Sequence, residues 1–363
     1  MNIIINQRKF ITAIRAVERI VSKNVSLPIL QAILLKTEGG QVKLMATNLE
    51  VGIQYRVGAK IEAEGVIAVP ARILSDFINT VQDEKLTLST ERDTLFLNSE
   101  HYKTQILGMK SDEFPIIPTV KASAEFKISG TLIAGALGSV FDATSLLETR
   151  PELSGVYVYA QDTRVTFAAT DSFRLSERVV MTVAKIDKSF IIPRTTALEI
   201  IRLTADRGDE EVTVAVAENQ IALRGSDFEL VSRLIDGRYP DYKKIIPEHY
   251  ASTAVVNKAE LERNVRMASI FSSSISDLAL KAESGTLHIS AKNSDKGEIV
   301  SQMPLGKIQT PFTVSVNYRY LLDGLKIIPT ENIIIGYTGE GSPLVLKGEG
   351  REDQVYIIMP LRQ

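Results

Sequence analysis

The residues able to do chemistry in this chain are few and scattered. Its three histidines, His101, His249 and His288, lie far apart, and none has a metal-ligating neighbour at the short spacing that zinc sites use. There is no cysteine, which excludes thiolate ligation, disulfides and a cysteine nucleophile. Gly306-Lys307 continues with Ile308, so the loop that would cradle a phosphate is incomplete. Asn48, Asp171 and Asn293 recur in one sequence context, but a catalytic acid would not become an amide in two of three copies. They read as turn-forming side chains. No active site, cofactor or metal centre is expected. What remains is non-covalent: guanidinium and ammonium groups for a polyanion, and apolar side chains for a peptide.

Those groups sit on a pattern that occurs three times. Val42-Lys-Leu-Met-Ala-Thr-Asn48 reappears as Val165-Thr-Phe-Ala-Ala-Thr-Asp171 and as Leu287-His-Ile-Ser-Ala-Lys-Asn293. The period of about 120 residues is domain-sized and too long for a solenoid. Upstream, Leu27-Pro-Ile-Leu30 matches Arg150-Pro-Glu-Leu153. Downstream, Val69-Pro-Ala-Arg72 matches Ile192-Pro-Arg-Thr195 and Val316-Asn-Tyr-Arg319. Triplication predicts three similar domains over 1–121, 122–249 and 250–363, each reading helix, short strands, helix, short strands. Helical spacing of apolar residues places first helices over 7–22, 131–144 and 257–271, and second helices over 71–81, 195–207 and 317–326. Strands follow by alternation, as in Thr94-Leu-Phe-Leu-Asn98. The glycines at 339, 341, 348 and 350 mark two hairpin turns.

Composition bounds the function. A hydrophobic content of 44% over 363 residues suits several globular cores. No apolar run approaches the roughly 18 residues of a membrane span, and no signal-peptide pattern opens the chain. The zero cysteine count fits a reducing cytoplasm. The net charge of −2 names no partner, so a nucleic-acid binder of this composition must segregate its charges. Basic residues outnumber acidic ones on the six expected helices, which leaves the excess acid to strands and loops. One basic surface made of helices is therefore permitted.

Two segments expose unusual residues. Asp236-Gly-Arg-Tyr-Pro-Asp-Tyr242, followed by Lys243-Lys-Ile-Ile-Pro247, is too aromatic for a plain linker. The end of the chain, Tyr356-Ile-Ile-Met-Pro-Leu-Arg-Gln363, reads as a last strand with an apolar extension, since proline cannot continue a central strand. Met359 and Leu361 beside Pro360 form a soft patch suited to a peptide.

At these residues the chain resembles the bacterial DNA polymerase III beta subunits, the replicative sliding clamps. The resemblance rests on Leu27-Pro-Ile-Leu30, Thr47-Asn-Leu-Glu50, Val69-Pro-Ala-Arg72, Glu113-Phe-Pro115, Ala169-Thr-Asp-Ser-Phe-Arg-Leu175, Ile192-Pro-Arg194, Asp236–Tyr242 and Met359-Pro-Leu-Arg362, in the family's order from end to end. It implies the DNA-clamp fold, α+β, with three domains of two helices and antiparallel β-sheets each, and a ring-forming, non-catalytic homodimer around double-stranded DNA. Contact would be to phosphate without base readout. The residues implied to face DNA are Lys23, Asn24, Arg72, Arg194, Arg202 and Arg266. Asn24 departs from the basic residue that the family often has.

The resemblance also implies a groove for short linear motifs of the replicative polymerase, the clamp loader and repair proteins. Its lining would be Leu153, Thr170, Ser172, Phe173, Arg174, Leu175, Pro240, Lys244, Ile245, Met359, Pro360, Leu361 and Arg362. Phe173 stands where some members have His, Lys244 substitutes for Arg, and Gln363 ends the chain where others have Leu. The protomer contact would join Thr104 and Ile106 to Ile270 and Phe271. Two other readings stay open: a β-rich scaffold with no DNA role, and a nucleotide-processing enzyme, which the missing phosphate loop, metal cluster and nucleophile disfavour.

Overall fold

The computed structural model describes residues 1–21, 27–147, 149–182, 186–306 and 308–361. The first repeat comprises β1 (Asn2–Asn6), α1 (Gln7–Glu18), β2 (Ala32–Glu38), β3 (Gln41–Thr47), β4 (Val51–Gly58), β5 (Lys60–Ala63), β6 (Val66–Pro70), α2 (Ala71–Thr80), β7 (Lys85–Glu91), β8 (Thr94–Asn98) and β9 (Lys103–Leu107). The second has β10 (Ala124–Ser129), α3 (Gly130–Phe141), β11 (Gly155–Gln161), β12 (Arg164–Thr170), β13 (Arg174–Met181), β14 (Asp187–Pro193), α4 (Arg194–Thr204), β15 (Glu211–Val216), β16 (Gln220–Arg224) and β17 (Phe228–Arg233). The third has β18 (Ser252–Asn257), α5 (Lys258–Ser269), β19 (Asp277–Glu283), β20 (Thr286–Asn293), β21 (Gly297–Pro304), β22 (Phe312–Asn317), α6 (Tyr318–Ile327), β23 (Asn332–Tyr337), β24 (Leu344–Gly348) and β25 (Gln354–Ile358). The fold is α+β, with three similar domains.

Local chemistry explains the shared plan. Asn6 and Asn257 accept from the backbone N–H of Lys9 and Glu260 at 3.2 and 3.0 Å, which satisfies a free donor at each helix start. Phe10, Ala13, Ile14 and Val17 then bury one face of α1, and Leu261, Val265 and Ala268 do the same on α5. The first helices end earlier than the sequence pattern predicts, at 18, 141 and 269. Beyond each end the chain tightens into three-residue turns: Val21 N–H to Glu18 O, Thr144 N–H to Phe141 O, and Ser272 N–H to Ser269 O. The apolar spacing continues through such turns, which is why the pattern overran. A single bond recurs where each first helix meets its domain, from Gln7, Gly130 and Lys258 N–H to Glu84, Glu210 and Glu331 O.

Each repeat builds two half-sheets of the same order. One runs β6-β2-β3-β4, then β14-β11-β12-β13, then β22-β19-β20-β21. The other runs β1-β7-β8-β9, with β5 added outside β1, then β10-β15-β16-β17, then β18-β23-β24-β25. The half-sheets fuse across repeats. β17 pairs antiparallel with β4, from Phe228 opposite Tyr55 to Ser232 opposite Val51. β13 pairs with β25 in the same way, from Arg174 opposite Ile358 to Arg178 opposite Gln354. Two eight-stranded sheets result.

Compactness follows the fused sheets rather than the repeats. One body comprises residues 1–131 with 202–234, the other 132–201 with 235–363. The middle repeat thus gives one half-sheet to each. In the second body a core of Leu261, Leu280, Ile289, Leu321, Ile335 and their neighbours underlies the third repeat, and a smaller cluster around Leu153, Leu175, Tyr239 and Val345 lies at the junction of β13 and β25. Gly339, Gly341 and Gly350 adopt positive φ between β23, β24 and β25, as the turn reading expected, whereas Gly348 ends β24 and pairs with Ile333.

The turn between β8 and β9 is held by Asp83. Its carboxylate accepts from His101 N–H at 3.0 Å and lies 2.7 Å from His101 Nδ1. The Ser99 hydroxyl and His101 together hold the Asp83 carboxyl down at about 2, and the Asp83 carboxylate raises the His101 imidazole above its ordinary 6.5. A raised imidazole value favours the fold below 6.5 and the contribution disappears as pH rises through the folded value. A depressed carboxyl value favours the fold above 3.8 and that contribution disappears as pH falls toward 2. Both contributions are therefore fully present between pH 3.8 and 6.5. An NMR titration should place His101 above 6.5, and Asp83→Asn should bring it back; an unchanged midpoint in the variant would refute the pairing.

Candidate functional site

The second body brings together three separate stretches that the sequence named for a peptide groove. The first is the turn between β12 and β13. The Thr170 hydroxyl donates to Arg174 O at 2.7 Å and accepts from Ser172 N–H at 3.1 Å. Asp171 Oδ1 accepts from the N–H of Phe173 and Arg174, both at 3.0 Å. These bonds hold Ser172 at φ 77° and leave Phe173 59% exposed. Asp171 is thus the turn-forming side chain that its sequence position suggested. The second stretch is the connector before β18, where Tyr242–Ile245 forms a short 3-10 turn with Lys244 and Ile245 exposed. The third is the tail. Met359 N–H donates to Phe173 O at 2.8 Å, and Leu361 N–H to Ser315 O at 2.8 Å.

Burial divides the predicted lining. Leu153, Thr170 and Leu175 are buried. Pro240, Met359, Pro360 and Leu361 are half-buried, and Ser172 and Phe173 stand at the rim. Arg362 lies outside the described residues, as do Lys23 and Asn24. Arg174 corrects its expectation. Its guanidinium bonds to Asp171 at 2.9 Å, pairs with Asp323 on α6 and lies 4.6 Å over the Tyr320 ring. With only 12% of the side chain accessible, it braces the turn against the third repeat instead of offering itself to a ligand.

The basic residues also divide. Arg72, at the start of α2, has a side chain 92% exposed and only a 3.7 Å ion pair to Asp76. Arg266, on α5, is 64% exposed and bonds Glu262 at 2.6 Å. Arg202 is exposed on the last turn of α4. Pairs of this exposed kind are weak, so the arginines can be drawn to phosphate. Arg194 is a correction. It donates to Phe141 O at 2.7 Å and to the Thr144 hydroxyl, and its guanidinium lies 3.9 Å over the Phe141 ring. It caps the end of α3 from within.

The expected interface residues lie on one edge strand, β9, and just past the end of α5. β9 and β21 each end a sheet. Thr104 is half-buried and Ile106 is only 4% exposed, so the Ile106 side chain belongs to the core and not to a surface contact. On the same strand Leu107 is 72% exposed. Val300 on β21 is 68% exposed. Ile270 is 62% exposed, whereas Phe271 packs partly against the third-repeat core. An open cavity of about 510 Å³ on α5 is lined by Ala259, Glu262, Arg263, Arg266, Met267 and Ile270.

Sequence reasoning missed two features. Asp83 and Glu100 join His101 in a group that could hold a metal, because the chain returns Asp83 to a histidine eighteen residues away in sequence. Asp83 already spends its acceptors on His101, and the group is solvent-facing. The second is a copy of the groove turn in the first body. Thr47 donates to Val51 O at 3.0 Å, Asn48 Oδ1 accepts from Glu50 and Val51 N–H, and Leu49 has φ 75°. Arg233 N–H donates to Glu50 O at 3.0 Å, as Met359 does to Phe173. At this copy, however, a Cβ on Gly52 would fall 2.8 Å from the Ile117 side chain, so the chain itself covers the place.

Three repeated domains of paired helices on antiparallel sheets, without an assembled catalytic group among the described residues, define a clamp-type scaffold. The family models for the DNA polymerase III beta subunit match nearly all of the chain: the N-terminal domain over residues 1–118, the central domain over 127–241 and the C-terminal domain over 243–362. The chain belongs to the DNA polymerase III beta subunit family. A beta sliding clamp of Synechococcus elongatus is 31% identical across 100% of this chain and 99% of its own length, and one of Staphylococcus epidermidis is 25% identical with the same coverage. The crystal structure of the DNA polymerase III beta subunit of Thermotoga maritima superposes with a TM-score of 0.94 at 25% identity, covering 100% of this chain and 99% of that one. A sliding clamp of Pseudomonas aeruginosa bound to griselimycin gives 0.96 at 24% identity with both chains fully covered, which speaks for the fold alone.

The bracing role of Arg174 has a measurable consequence. Arg174→Met removes the cation between Asp171 and Asp323, and removing one partner of a largely buried pair costs about 3 kcal/mol or more. Thermal unfolding should shift down by several degrees; an unshifted transition would show that the bracket contributes nothing.

Proposed function

We propose that two copies of this chain close head to tail into a ring around double-stranded DNA, slide on it without reading sequence, and tether the replicative polymerase through the groove of the second body. Membership of the DNA polymerase III beta subunit family supports the clamp role. The observation that carries the closure is the sheet plan. β4 takes β17 of the next repeat and β13 takes β25 of the next, so the remaining edges of the same kind, β21 and β9, are complementary but unpaired within one chain. A second copy offers each edge its missing partner. Exposed edges invite pairing, and Leu107 and Val300 would be covered by it. The helix beside β21 offers apolar groups as well, Met267 on α5 and Ile270 just past its end.

Arg72, Arg202 and Arg266, with Lys23 and Asn24, form the proposed phosphate-facing set; Arg194 leaves it for the reason given above. The proposed domain limits are 1–121, 122–249 and 250–363; the three matched family segments span 1–118, 127–241 and 243–362. The clamp loader and repair proteins are proposed to share the groove with the polymerase, by extended segments that place Leu or Phe side chains on its apolar floor.

Loading the protein on nicked circular DNA and then cutting the circle should release it from the ends; release that ignores the cut would rule out topological binding. Leu107→Arg with Val300→Arg should convert the dimer to a monomer in sedimentation at micromolar concentration and abolish retention on circles. Met359→Ala with Leu361→Ala should remove binding of a polymerase-tail peptide and keep the dimer. Loss of both together would make the tail structural.

A further inference from the structure

Glu177 has no part in the chemistry above, yet it is a carboxylate on β13 with only 7% exposure. Both of its partners belong to the connector. The Tyr242 hydroxyl donates to Glu177 Oε2 at 2.6 Å, and the Lys243 ammonium pairs with the same oxygen. Three residues earlier, the Tyr239 hydroxyl accepts from Thr170 N–H at 3.0 Å. Tyr239 stacks on Tyr157 at 4.9 Å and meets Tyr242 edge-on at 6.1 Å.

These side chains carry the connector almost alone. Its backbone is bonded to the sheets at its two ends, by Ile235 N–H to Ile191 O and by Ala251 N–H to Tyr337 O. Between them, among the described residues, its backbone bonds are internal, Tyr242 N–H to Pro240 O and Ile246 N–H to Lys243 O. Between those ends the connector's hydrogen bonds to the sheet come from two phenol hydroxyls, beside the apolar packing of Tyr239, Tyr242 and Ile246. Tyr239 fixes it where the groove turn leaves β12, and Tyr242 fixes it to β13 just beyond that turn. Lys244 and Ile245, the proposed connector wall of the groove, directly follow the second anchor. A buried carboxylate is strongly unfavourable without partners, so Glu177 demands Tyr242 and Lys243 at one place.

We propose that Glu177 is a positioning residue for the groove: by holding Tyr242 it fixes how far the 242–245 turn stands from the 170–174 turn, and so the width open to an extended apolar peptide. This rests on the groove reading of the preceding section.

The test is fluorescence anisotropy of a labelled peptide bearing Leu and Phe on the full-length protein. Glu177→Ala and Tyr242→Phe should each weaken binding roughly tenfold, the scale of one lost hydrogen bond to a charged group. Glu177→Gln keeps an acceptor for Tyr242 and should stay within about threefold, and Lys243→Ala, whose ammonium is half exposed, within about twofold. If Glu177 acts through the connector wall, the losses from Glu177→Ala and Ile245→Ala will not add in the double variant. Additive losses, or wild-type affinity in both Glu177→Ala and Tyr242→Phe, would overturn the proposal. Should Glu177→Ala fail to fold, Tyr242→Phe, which keeps the ring, decides alone. Unchanged affinity in the Met359→Ala, Leu361→Ala variant would instead show that the groove reading itself is wrong.

Discussion

Everything in this structure depends on backbone pairing between repeats. A four-stranded half-sheet has an edge whose N–H and C=O groups need partners, and each repeat supplies the edge that its neighbour lacks. Five residue pairs bind β17 to β4 and five bind β13 to β25. With about 1 kcal/mol net per hydrogen bond, each seam contributes on the order of 5 kcal/mol before side chains are counted. The seams are why the chain condenses into two bodies although it is written in three repeats.

The proposed groove lies at the second seam. Where β13 meets β25, the turn before β13, the connector after β17 and the tail after β25 all reach the same end of one ladder. Met359 N–H continues that ladder by one bond to Phe173 O. Leu153 and Leu175, the floor on the proposed reading, belong to the small core that seals the junction. Stability and recognition therefore share residues here, and Arg174 shows which side a residue takes: its neighbours Asp171, Asp323 and Tyr320 claim it for the fold.

Much of this was legible in the residues. The threefold echo of Val42–Asn48 and the alternation of Thr94–Asn98 gave the domain plan, because side-chain periodicity reports which face of a strand or helix is buried. Asn48 and Asp171 could be read as turn formers because their bonding is local: each accepts from N–H groups two and three residues on. The seams were not legible, since backbone pairing between strands some 175 residues apart leaves no mark on either strand. Nor does sequence separate a free guanidinium from a captured one. Arg72 and Arg194 begin corresponding helices, yet one faces solvent and the other lies on Phe141. The difference is the aromatic ring that α3 brings to Arg194. Ile106 misled for a related reason: a strand can present its edge outward while this side chain points inward.

The first body repeats the groove turn down to its bonds, and there Ile117 rests against Gly52. Gly52 corresponds to Leu175 in the second repeat, so one copy has lost the side chain that floors a pocket and gained a piece of its own chain as a lid. The consequence is a valence. If the groove serves as proposed, each chain offers one receptive place, because Ile117 occupies the corresponding one. Partners would then take turns at a single socket, and exchange between them would become a matter of departure rates.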